Sequence, residues 1–167
     1  MVHWHAVFTA SRAEKKVRDR LEELGVECFL PVQTVLRQWT YRKSRVVVPV
    51  IAGLVFVRVG RQEQVKVLQT KGVVAFLRLK GEAGAAVIPD KQMEDFRFLL
   101  DFSEEAVEMT NENIKAGDLV RVVKGSLRGM EGELIRHKGV TTVLVRIDML
   151  GCAMVNIPAS FVEKLNK

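Results

Sequence analysis

Residues 2–8, V-H-W-H-A-V-F, set His3 and His5 on one face of an extended segment and Trp4 on the other, which predicts a strand. Ser11 then stands three residues before Glu14, the spacing of a capping box, and Val17, Leu21 and Leu24 form one apolar stripe. Together they predict a helix over about 12–24, stopped at Gly25. Residues 26–30, V-E-C-F-L, return as a strand that ends at Pro31. The run 35–50 reads as two strand arms around a basic, aromatic tip, and L-V-F-V-R-V at 54–59 as another strand after Gly53. A short helix is expected over 62–69, with Val65 and Leu68 inward, and a strand over 73–79 after Gly72. Pro89 and Asp90 open a last helix whose Met93, Phe96, Leu99 and Leu100 keep helical spacing.

The pattern then changes. Residues 103–113, S-E-E-A-V-E-M-T-N-E-N, hold four glutamates and no basic residue and read as a solvated linker. After it come four short β-branched runs, about 118–124, 131–136, 140–147 and 153–157, separated by glycine turns. Pro158 begins a final turn, and Phe161, Val162 and Leu165 close the module. The expectation is an α+β chain: an α/β sandwich over 1–102, an acidic linker over 103–113, and a small SH3-like β-barrel over 114–167.

Composition agrees with a folded protein. The 167 residues are 48% hydrophobic and 28% charged, enough apolar residue for a core. Net charge is +6 overall: +6 over 1–102, −4 over 103–113 and +4 over 114–167. Both folded parts are therefore basic, which suits a polyanionic partner. Cys28 and Cys152 lie far apart and read as reduced packing residues of a cytoplasmic protein. No apolar run reaches membrane-spanning length, and the first twenty residues read as folded and amphipathic, not as a signal peptide. A monomer with no membrane partner is expected.

Catalytic and metal chemistry find little support. Residues 122–135, V-V-K-G-S-L-R-G-M-E-G-E-L-I, space Gly125, Gly129 and Gly132 around Lys124 and Arg128. A phosphate loop needs Gly-Lys-Ser/Thr followed by a helix; here a β-like E-L-I-R follows. The glycines read instead as turn chemistry between two strands. His3 and His5 have no third ligand nearby and read as surface histidines, so no metal and no cofactor is expected. No Ser/His/Asp or Cys/His arrangement stands out, and no enzymatic activity is expected. The tip R-Q-W-T-Y-R-K-S-R, 37–45, interleaves Arg37, Arg42, Lys43 and Arg45 with Trp39 and Tyr41. Cations neutralise phosphates and aromatic faces stack on bases, so this is a nucleic-acid candidate; the alternative is a solvated hairpin whose aromatics pack on their own sheet. The stretch P-V-I-A-G-L-V-F-V, 49–57, matches an RNA-recognition aromatic strand poorly, because Phe56 is its one aromatic.

Several segments line up in one order: H-W-H-A-V-F-T (3–9), E-K-K-V (14–17), C-F-L-P (28–31), R-Q-W (37–39), P-V-I-A-G-L-V-F-V (49–57), T-K-G-V-V (70–74) and V-I-P-D (87–90). This series resembles the N-terminal domain of the NusG family of transcription elongation factors. The stretch from Gly117 to Ile135 resembles that family's KOW motif. The R-Q-W-x-x-R-K tip and the basic charge are more similar to the specialised, operon-restricted antiterminators of the RfaH/UpxY type than to the housekeeping factor.

The resemblance implies a non-enzymatic factor that docks through an apolar depression onto the β′ clamp helices of RNA polymerase. Carried over by motif, the depression involves Ala6, Phe8, Ile51, Leu54 and Phe56. Alternation sets Ala6 and Phe8 on one face and Leu54 and Phe56 on another. Where the family commonly has Phe-Pro-Gly-Tyr this chain has Ile51-Ala52-Gly53-Leu54, so two aromatics are absent from that area. Nucleic-acid contact, to non-template DNA or nascent RNA, is expected at Arg12, Lys15, Lys16 and Lys71 as well as at Arg42 and Lys43. The KOW module, with its turn at Gly125, Gly129 and Gly132, would recruit a ribosomal protein or a termination factor. It is expected to stay β, because its glycines would interrupt helices and V-T-T-V-L-V-R-I (140–147) is β-branched. The competing reading is an RNA- or ribosome-binding KOW protein that does not act on polymerase.

Overall fold

The computed structural model describes residues 1–165. In chain order its elements are β1 (His3–Thr9), α1 (Glu14–Glu23), β2 (Glu27–Phe29), β3 (Val32–Gln38), β4 (Lys43–Pro49), β5 (Leu54–Val59), α2 (Arg61–Leu68), β6 (Val73–Phe76), α3 (Asp90–Phe102), β7 (Glu108–Thr110), β8 (Asp118–Val122), β9 (Glu131–His137), β10 (Val140–Ile147), β11 (Gly151–Asn156) and β12 (Val162–Lys164). The chain forms two compact units: Met1–Thr34 with Val46–Asp90, and Val35–Arg45 with the chain from Lys91 onward. It is a mixed α/β protein with antiparallel sheets.

The first unit is built on a sheet of order β2-β5-β1-β6. Its pairings are antiparallel, and β1 runs the whole length of β5, from His3 opposite Val59 to Phe8 opposite Leu54. One face carries Val7, Val55, Val57, Val59 and Phe76, which pack with Val17 and Leu21 of α1 and Val67 of α2. That is the helical stripe expected at 17 and 21, meeting the alternate residues of two strands. Leu24 of the same stripe is 46% exposed, because the helix ends at Glu23 and Gly25 turns the chain away. In α2 it is Val67 that is buried, whereas Val65 and Leu68 are exposed; the inward face lies between the two positions expected.

The second face of the sheet carries Trp4, Ala6, Leu54 and Phe56, each of them buried as well. That explains why β5 reads as a continuous apolar run and not as an alternation. The chain beyond β6 continues along β1: Leu77 N–H donates to the Ala6 carbonyl at 2.8 Å, and Ile88 N–H to the Trp4 carbonyl at 2.9 Å. The expected strand over 73–79 is thus regular sheet only as far as Phe76.

The second unit holds a six-stranded sheet of order β12-β8-β9-β10-β11-β7. Among the described residues its ladder runs in line from β12 to β7. Val143, Leu144, Val145, Ile147, Cys152, Ala153 and Met154 are buried along β10 and β11. Residues 103–113, expected as a solvated tether, are partly built into this sheet. Glu108–Thr110 pair with β11, and Val107 is buried. The glutamates hid a short apolar register, Val107 and Met109, that the sheet edge uses. Helix α3 buries Met93, Phe96 and Leu99, and Gln92 exchanges two hydrogen bonds with Asp148 at 2.9 and 2.7 Å.

Candidate functional site

The first candidate surface lies where β1 ends. The register sets Ala6 opposite Phe56 and Phe8 opposite Leu54. Directly opposed residues of an antiparallel pair share a face, so all four lie on one face, not on two as alternation had suggested. Ala6, Leu54 and Phe56 are 0%, 1% and 0% exposed, and Phe29 stacks on Phe56 at 6.2 Å between ring centres. Phe8 is 40% exposed and Ile51 half-buried. Of the five apolar residues picked from the motif, these two reach the surface, and the other three form packed structure beneath it.

The loop that carries Ile51 is fixed from two sides. Gly53, at φ +72°, adopts the left-handed conformation. Its N–H donates to the Glu14 carboxylate at 3.0 Å, and its carbonyl accepts the Thr9 N–H at 2.9 Å. Glu14 is therefore an anchor for a loop 39 residues away, not half of a capping box. Helix α1 begins at Glu14 with Ala13 as its N-cap, no side chain caps it, and Arg12 sits at φ +60°. Sequence reasoning missed this role, although a glutamate at the first helical position that ends up 7% exposed must have a partner.

Cations surround the same end of the sheet. Ala10 N–H bonds the Gly72 carbonyl at 2.8 Å, which places the turn bearing Lys71 beside the end of β1. Arg20 holds that turn through the Lys71 carbonyl at 2.7 Å. Arg12, Lys15, Lys16 and Lys71 are exposed, and Lys15 Nζ reaches the Val47 carbonyl at 3.4 Å. Among the described residues no group of histidines, cysteines and carboxylates could hold a metal ion.

The two N-terminal histidines differ from the surface pair expected. His3 is half-buried, whereas His5 is 3% exposed and its Nδ1–H donates to the Ala86 carbonyl at 2.8 Å. Burial pushes the His5 pKa below its ordinary value, against the raising effect of that bond, and His3 adds to the lowering. His5 is a neutral core residue edge-on to Phe76, whose ring centre lies 5.8 Å away. Burial likewise raises the Cys28 thiol to about 11, which removes it from nucleophilic chemistry near neutral pH.

The second candidate is the tip between β3 and β4. Trp39 N–H donates to the Arg42 carbonyl at 2.7 Å and closes the turn, while the indole N–H donates to Ser44 Oγ. Arg37, Trp39, Tyr41, Arg42, Lys43 and Arg45 are all exposed.

The glycine stretch forms the turn between β8 and β9. Gly125 and Gly129 have φ of +85° and +97°, and Gly129 N–H bonds the Val122 carbonyl at 2.8 Å. Gly132 is required for a different reason: a Cβ there would meet the Leu144 carbonyl oxygen at 2.8 Å. Lys124 and Arg128 project outward from the turn. Behind it, Glu133 accepts from Arg146 at 2.6 and 3.1 Å and from Gly117 N–H at 3.1 Å, and Arg146 also reaches the Ile114 carbonyl at 2.8 Å. This network ties the start of the module to β9 and β10, and nothing in the residue spacing announced it.

A solved structure has a similar fold. NusG of Thermotoga maritima, in a structure titled for its domain interaction, aligns over 99% of this chain and 98% of that one, at 22% identity and a TM-score of 0.52. The MjSpt4:Spt5 complex in its conformation B aligns over 100% of this chain and 98% of that one, at 18% identity and a TM-score of 0.29. Comparison with curated proteins finds no match. The family model described as transcription termination factor nusG matches residues 2–97, the span that holds β1 to β6, both sides of the Gly53 loop and the β3–β4 tip. By that match, over more than half of its length, the chain belongs to the NusG family.

Proposed function

We propose that this chain is a transcription elongation factor of the antitermination type, which docks on RNA polymerase through the end of β1 and has no catalytic activity of its own. The observation that carries the reading is the pairing of exposed Phe8 with the Ile51 loop, held rigid by Glu14 and Thr9, within a span that matches the family model. A half-exposed phenylalanine on a fixed backbone suits the apolar end of a helical hairpin such as the β′ clamp helices, because little order is lost on docking. Buried Ala6, Leu54 and Phe56 act as the floor that holds Phe8 in place.

In this reading Arg12, Lys15, Lys16 and Lys71 sit beside the docked polymerase and meet phosphates of the displaced non-template strand or nascent transcript. Residues 1–102 serve as the polymerase-facing domain and 114–167, together with the paired strand Glu108–Thr110, as an SH3-like KOW module that recruits a ribosomal protein or termination factor. The protein works as a cytoplasmic monomer.

Single-round transcription with purified bacterial polymerase, on a template carrying a pause and an intrinsic terminator, tests the proposal. The chain is expected to shorten the pause and raise read-through, and Phe8→Asp to abolish both effects. Elongation unchanged by saturating wild-type protein would overturn it.

A further inference from the structure

We propose that the pocket between the end of α3 and the β8–β9 turn binds a nucleoside triphosphate, with the base on Phe98 and Phe102 and the phosphates on Lys124 and Arg128. The inference does not depend on polymerase docking. The pocket lies within the second unit and has a volume of about 540 Å³, inside the range of roughly 300–1,000 Å³ usual for small-ligand sites. Its walls differ in chemistry. Phe98 and Phe102 stand one helical turn apart on α3 with ring centres 4.7 Å apart, and Phe102 is 52% exposed. Lys124, Ser126 and Arg128 supply the polar wall.

Charge selects the ligand. No carboxylate lines the pocket, and among the described residues Lys124 and Arg128 form no ion pair. The pocket beside the start of α3 is the contrast: there Lys91 and Arg146 pair with Asp95, Glu131 and Glu133, so its charges already satisfy one another. The free cations are also held in place. Val123 N–H donates to the Phe161 carbonyl at 2.7 Å, and Gly125 lies so close to the Phe161 ring that a Cβ would come within 2.9 Å of it. Arg128 N–H closes the turn on the Gly125 carbonyl at 3.2 Å. Two preset cations four positions apart suit a chain of phosphates, and exposed aromatic faces suit a flat base. An apolar acid would use the rings but not both cations, and a bare phosphate the cations but not the rings. The turn lacks the Gly-Lys-Ser/Thr of a phosphate loop, so side chains hold the phosphates, and binding without hydrolysis is expected. Stacking does not read the edge of a base, so ATP and GTP are expected to bind alike.

The test is isothermal titration calorimetry of the full chain at low salt, with ATP, GTP, AMP, adenosine and tripolyphosphate as separate titrants. ATP and GTP should bind with the same affinity, and AMP, adenosine and tripolyphosphate each at least about tenfold more weakly. Phe102→Ala should weaken ATP binding by about 5- to 150-fold and leave tripolyphosphate binding unchanged. The double variant Lys124→Ala/Arg128→Ala should bind ATP no more tightly than adenosine, with an unchanged melting temperature, since both side chains are exposed. Phe8→Asp and the double variant Arg42→Ala/Lys43→Ala should bind ATP like wild type, which separates this site from the polymerase surface and from the β3–β4 tip. The proposal is overturned if ATP does not bind, or if adenosine or tripolyphosphate binds as tightly as ATP. It is overturned equally if either pocket variant binds ATP as wild type does, or if the Arg42/Lys43 variant loses ATP binding.

Discussion

Glu14 and His5 show how one residue can be read correctly by type and wrongly by role. Ser11-x-x-Glu14 has the spacing of a capping box, but spacing does not say where the carboxylate finds its donor. It takes the Gly53 N–H, because the left-handed turn at Gly53 points that group at the helix start. Glu14→Ala would leave the N–H without its partner and is expected to cost about 1–3 kcal/mol in urea denaturation. Glu14→Gln keeps an acceptor oxygen and should recover most of the loss; equal losses in the two variants would refute the anchor. His5 was expected on the surface because histidine is polar, yet a strand covered on both faces buries it. Its folded pKa is lowered while the unfolded value stays near the ordinary 6.5. Below that pH the unfolded chain binds a proton that the folded chain resists, so stability should fall as pH drops from about 7 toward 5. His5→Gln, which cannot titrate, should flatten that part of the dependence of melting temperature on pH.

Among the elements, legibility followed the strength of local pattern. Strand β10 was read to the residue, 140–147, because eight largely β-branched residues between Gly139 and a polar turn leave no other reading. β5 was placed equally well, but its faces were not assigned: L-V-F-V-R-V is apolar on both sides, and only the pairing with β1 shows Leu54 and Phe56 lying with Ala6 and Phe8. β7 was missed because three residues in an acidic stretch carry too short an alternation to compete with four glutamates. Tyr41, Arg42 and Lys43 were legible as a candidate surface because charge density survives without a fold; the burial of three of the five apolar candidates was not, because burial depends on contacts far along the chain. Gly132, which lies within β9 opposite Val120, also carries a test at this scale. Gly132→Ala would press a methyl group against the Leu144 carbonyl and is expected to destabilise the chain by about 1–3 kcal/mol, although its φ is not in the left-handed region. A variant as stable as wild type would show that β9 and β10 separate more easily than their close approach indicates.

For the whole molecule, charge and segment order pointed to a two-part, basic, non-enzymatic factor before any contact was known. The matched span makes it a NusG-family protein. What neither pattern nor charge could supply was which apolar residues face outward, and that decides how the central proposal is tested. Phe56→Asp would place a carboxylate in a fully buried site and unfold the sheet, so its failure to bind anything would be uninformative. Phe8 and the Ile51 loop can be changed with the fold intact. The decisive measurement is equilibrium binding of the full chain to purified core RNA polymerase, with wild type and Phe8→Asp compared at equal melting temperature. Wild type is expected to bind and Phe8→Asp to lose at least about tenfold in affinity; no binding by wild type, or the same affinity for both, would contradict the account.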